Sequence, residues 1–143
     1  MSSSVVVVIA VTVAALGVAY IVGRLITLRS GMLRDAGRAA DQAAEAASGL
    51  GLSTTGPTVL HFSADWCGPC AAVRRVVDEV CEQLPGVAHV EIDMDANPEA
   101  ARRLSVMSLP TTIVFGADGR PRHRITGVPR AADLRSALEP LLA

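Results

Sequence analysis

A chain of 143 residues with a formal net charge of −1 has room for one ordinary domain plus a remainder, and it offers no basic surface for nucleic acid. All thirteen basic residues are arginine, so any cation beside a reactive group is Arg or His. Half the residues are hydrophobic while only 3% are aromatic, and three cysteines are too few for a disulfide-stapled secreted scaffold.

Residues 1–4 form a short uncharged tail. Val5–Val22 follows without a charge, and as a helix it spans about 27 Å, near the thickness of a bilayer core. Arg24 can snorkel and Tyr20 suits the interface, so a transmembrane helix is predicted over residues 5–28. A cleaved signal peptide is the competing reading, but Met1–Ser4 lacks its positive n-region. Arg24, Arg29, Arg34 and Arg38 all follow the span, which predicts a single-pass protein with its N-terminus outside and the rest cytosolic. Residues 29–56 read as an Ala-rich juxtamembrane helix with no face of large apolar residues, then a Gly/Ser/Thr linker.

The globular part is expected over residues 57–143. Thr58–Ser63 is a β-rich run that leads into Trp66-Cys67-Gly68-Pro69-Cys70. Beyond it, Val73, Val76, Val77, Val80 and Leu84 recur at helical spacing until Pro85-Gly86. If that helix starts at Cys67, Cys70 lies one turn on, within reach of a small disulfide ring. Cys67 would then sit at the positive helix end, where a thiolate is stabilised, so it reads as the nucleophile and Cys70 as the resolving thiol. Tetrahedral zinc also uses Cys-x-x-Cys, but the chain has no second such pair and no His-x-x-x-His, so no metal is expected.

The segment from Phe62 to Cys70 resembles the active site of the thioredoxin family. The resemblance implies a redox-active Cys67–Cys70 disulfide with no bound cofactor, flanked by Trp66, with Gly68 and Pro69 favouring the reducing form. Its partners would be protein disulfides as substrates and an upstream thiol reductase as electron source. Further along, Val87–Asp93 reads as a strand, and Asn97-Pro98-Glu99 starts a short helix ending near Leu104. Thr111–Phe115 and Arg120–Thr126 form a hairpin around Asp118-Gly119, with Pro121 marking an edge strand. A closing helix runs from about Arg130 to Leu142.

The order β-α-β-α-β-β-α predicts an α/β fold: a four-stranded mixed sheet flanked by helices, similar to the thioredoxin core and preceded by the transmembrane helix. By the same resemblance Pro110 is the family's cis-proline opposite the disulfide, the Leu109 backbone pairs with an extended substrate, and Gly127 belongs to that surface. Two departures stand out. His61 occupies the place of the family's buried Asp, and Glu91 that of a Lys on the neighbouring strand. A His61–Glu91 pair would keep a proton carrier near Cys70. Two other readings stay open: an extracytoplasmic oxidoreductase if the topology is reversed, and a thioredoxin-fold binding module in which redox turnover is incidental.

Overall fold

The computed structural model describes residues 3–143, with side chains described for residues 7–8, 11–22 and 37–143. The first helix, α1, is Ser3–Ala46. The chain divides into two units, Met1–Ala39 and Ala40–Ala143. In the first unit the described apolar side chains, from Val7 to Val22, are exposed.

The transmembrane segment is the main correction. Among the described residues, no helix is long and apolar enough to cross a membrane. Residues 5, 6, 9, 10 and 23–28 lie outside the described side chains, as do Arg24, Arg29 and Arg34. The single-pass location, with its N-terminus outside and its domain cytosolic, falls with the span.

The second unit is organised on a four-stranded sheet. β1 is Thr58–Ser63, β2 Ala88–Asp93, β3 Thr111–Phe115 and β4 Pro121–Thr126, in spatial order β2-β1-β3-β4. β1 pairs parallel with β2 and antiparallel with β3, and β3 pairs antiparallel with β4. Pro121 lies on an edge strand, where its missing N–H breaks no ladder bond. Between the strands run α2 (Cys70–Gln83) and α3 (Pro98–Arg103); α4 (Ala131–Leu138) closes the unit, followed by a 3-10 turn at Glu139–Leu141 around Pro140.

β1 is buried along its whole length, so both its faces meet a core. Leu60 and Phe62 pack with Ile113, Phe115 and the α3 residues Ala100 and Ala101. Val59 points the other way and packs with Val73, Val77, Leu134 and Leu138 of α2 and α4. The stretch expected to be a coreless helix and linker joins the first of these clusters. Ala47 is 1% exposed, and Leu50 and Leu52 pack beside it. An alanine sits flush against the sheet without the large apolar stripe that marks a core helix, so the core begins upstream of Pro57.

Candidate active site

β1 carries the chain from the core to a turn at its C-terminal end, and the two cysteines sit in that turn. Cys67 N–H donates to the Ala64 carbonyl at 3.0 Å, and Cys70 N–H to the Cys67 carbonyl at 3.2 Å. The sulfurs are joined as a disulfide, with Cα atoms 5.5 Å apart. α2 begins at Cys70 rather than at Cys67. Gly68 is a poor helix former and Pro69 stands as the N-cap, so the bridge closes over a turn and the helix starts after it. Cys67 therefore precedes the helix end that was expected to carry it.

The two sulfurs differ in surroundings. Cys70 is 3% exposed, and its Sγ lies 3.9 Å from the Phe62 carbonyl, the acceptor it faces once it is a thiol. Cys67 is 9% exposed. Ala64 and Leu109 complete a small apolar cluster around the bridge. The Leu109–Pro110 peptide is cis, and Gly127, at φ 88°, donates its N–H to the Pro110 carbonyl at 2.9 Å. Leu109, Pro110 and Gly127 are thus brought to one place. Trp66 is 66% exposed, with its indole N–H donating to Asp95 at 2.8 Å. Met107, on the loop leading to Leu109, is 92% exposed, and no periodic pattern in the sequence marks it.

His61 is fully buried on the face of β1 that α2 and α4 cover, shared with Val59. Its Nε2 lies 3.5 Å from Glu91 Oε1, within ion-pair reach but without hydrogen-bond geometry. Glu91 instead accepts two hydrogen bonds from the Arg74 guanidinium, one at 2.7 Å. Those bonds hold its carboxyl at about 2, far below the usual carboxylate range, against the opposing effect of partial burial. Burial pushes the His61 pKa down; Glu91 opposes this, while His89 and Arg74 add to it. The hydrogen bond of His61 runs from Nδ1 to His89 Nε2 at 2.9 Å, and His89 Nδ1 lies 2.9 Å from Asp78 Oδ1. Sequence reading finds His61 and Glu91 but misses His89, Asp78 and Arg74. The available signal was alternation: His89 and Glu91 share a face of β2, and Arg74 and Asp78 lie one turn apart on α2. The pKa of Cys81, the free thiol, is raised by burial first and then by Asp78.

The family model described as Thioredoxin matches residues 50–140. The chain belongs to the thioredoxin family. It is 42% identical to a thioredoxin of Mycobacterium tuberculosis over 84 residues, covering 58% of this chain and 72% of that one. A thioredoxin of Mycolicibacterium smegmatis is 41% identical over 95 residues, 64% of this chain and 83% of the relative. Among solved structures, a mutant thioredoxin from Halobacterium salinarum superposes with a TM-score of 0.56 at 32% identity, covering 61% of this chain and 75% of that one. As a thioredoxin-family protein with a formed Cys67–Cys70 bridge, the chain is a thiol–disulfide oxidoreductase.

Proposed function

We propose that the chain works in the reducing direction on protein disulfides, with Cys67 as nucleophile and Cys70 as resolving thiol. The observation that carries this division of labour is the asymmetry of the bridge: Cys67 is the more exposed residue, and the Cys70 Sγ lies against the Phe62 carbonyl. A client disulfide therefore meets Cys67 first. Cys67 thiolate attacks one client sulfur and releases the other as a thiolate. Cys70 then attacks Cys67, the mixed disulfide breaks, and the client leaves with its second thiolate. An upstream thiol reductase, in place of any bound cofactor, returns the bridge to dithiol.

The reducing direction is supported by Gly68-Pro69 between the cysteines. The client surface is formed by the Leu109 backbone, Pro110 and Gly127 beside the bridge, with the exposed Trp66 and Met107 offering apolar contact. His61 serves as the base that takes the Cys70 proton. Its support is its complete burial on the face beneath α2, together with a depressed pKa that leaves it neutral near pH 7.

The test is a trapping experiment. Cys70→Ser should accumulate mixed disulfides with client proteins, and Cys67→Ser should accumulate none. The full chain supplied with dithiol should reduce a model protein disulfide. Mixed disulfides formed only by the Cys67→Ser variant would reverse the roles, and a chain unable to reduce any model disulfide would remove the reductase reading.

A further inference from the structure

The buried base sits at the inner end of a hydrogen-bonded chain that the redox turn does not use. Asp78 Oδ1 lies 2.9 Å from His89 Nδ1, and His89 Nε2 lies 2.9 Å from His61 Nδ1. The two ring planes are 24° apart. Side-chain exposure rises along the chain, from 0% at His61 through 18% at His89 to 55% at Asp78. His61 Nε2 is buried and has no hydrogen-bond partner among the described residues.

We propose that Asp78 and His89 are positioning residues that hold His61 as its Nδ1–H tautomer, leaving Nε2 as the basic atom, and that they share the proton it accepts. This rests on the reading of His61 as base to Cys70. A carboxylate only accepts, so His89 Nδ1 must carry a hydrogen. Neutral His89 then has a bare Nε2, which can only accept, so the hydrogen between the rings belongs to His61 Nδ1. Neutral His61 is left with a bare Nε2. The opposite assignment sets a bare His89 Nδ1 against a carboxylate oxygen at 2.9 Å, two acceptors in contact.

Burial disfavours the added proton on His61, and Glu91 is the group that favours it. On His61 it lies at Nε2, facing Glu91 at 3.5 Å. Passing the Nδ1 hydrogen to His89 Nε2 moves the charge onto His89, beside Asp78, and leaves His61 neutral with its hydrogen on Nε2 until that atom is deprotonated again. Arg74 of α2 disfavours the added proton, but its charge is matched by the two hydrogen bonds it gives Glu91. β3 presents Thr112, register partner of His61 and uncharged, and α4 presents Leu134 and Leu138 to this face of the sheet. In the resolving step the Cys70 S–H bond gives its proton to Nε2 and its electron pair to sulfur. That sulfur bonds to Cys67 as the Cys67–client bond breaks, and the client departs as thiolate. The proton then has an exit through His89 towards solvent.

Imidazole 15N spectra of the oxidised full chain, recorded well above the histidine pKa, read the tautomers without any turnover. His61 should have its hydrogen on Nδ1 and a bare Nε2. Asp78→Ala and His89→Leu should each mix in the other tautomer, whereas His89→Gln, which keeps an acceptor, should hold the Nδ1–H form. In stopped-flow measurement of resolution, His89→Leu should slow the step by about tenfold, with the first attack by Cys67 unchanged. A folded His61→Ala variant with an unchanged pH profile for resolution would remove the base reading while leaving the tautomer result intact. Finding the hydrogen on His61 Nε2 in the neutral unsubstituted chain, or spectra insensitive to both Asp78→Ala and His89→Leu, would overturn the proposal.

Discussion

His61 and Glu91 put two acid-sensitive groups on the same face of the sheet. The folded state holds His61 below its ordinary value of 6.5, so the unfolded chain binds the extra proton first as pH falls. The stability tied to neutral His61 is present above about pH 6.5 and is lost as pH falls through the folded value. Glu91 works lower: its contribution is present above 4.5 and disappears as pH approaches about 2. Equilibrium unfolding in denaturant should therefore weaken in two stages on acidification. His61→Leu should remove the upper stage and Glu91→Gln the lower. A stability that is flat from pH 7.5 to 5.5 would contradict the placement of His61 as a buried neutral imidazole.

At the scale of elements, the starts of β1 and β2 are tied by backbone rather than by side chains. A Cβ added at Gly56 would meet the Gly86 carbonyl oxygen at 2.2 Å, and Ala88 N–H donates to the Pro57 carbonyl at 2.9 Å. Neither contact can yield without moving a strand. Gly56→Ala should cost about 1–3 kcal/mol, as overpacked sites do, read as a lowered unfolding midpoint. Gly119, where nothing lies near the added atom, differs in having φ 72° in the hairpin turn. Elements were legible wherever periodicity met a large side chain. Thr58–Ser63 and Thr111–Phe115 have the expected bounds, and the valine stripe of α2 faces the core. What was hidden depended on small residues or on register. Ala47 gives no stripe, and the start of α2 is displaced by Gly68 and Pro69. The meeting of His61 with His89 requires knowing that β1 and β2 pair in parallel with Val59 opposite His89. The grouping of Leu109, Pro110 and Gly127 was expected because a family pattern spans them. His89 and Asp78 belong to no such pattern.

For the molecule as a whole, every described residue of the redox turn and of both core clusters falls within Ala40–Ala143. A fragment of residues 40–143 should fold and reduce a model disulfide within about twofold of the full chain, since its buried apolar surface is intact. A fragment starting at Thr54 should not match it. Loss of Ala47, Leu50 and Leu52 uncovers the Phe62 side of the sheet and should cost about 2 kcal/mol or more. Equal stability of the two fragments would place the start of the core after Ser53. The chain also contains one tryptophan and one tyrosine, Trp66 beside the bridge and Tyr20 in the other unit. Indole emission excited beyond the tyrosine band therefore comes from a single fluorophore next to the bridge. A disulfide quenches a neighbouring excited indole by accepting an electron, so emission should brighten as the bridge is reduced and dim as it re-forms. The protein thus carries its own optical gauge of redox state, readable in real time without a label.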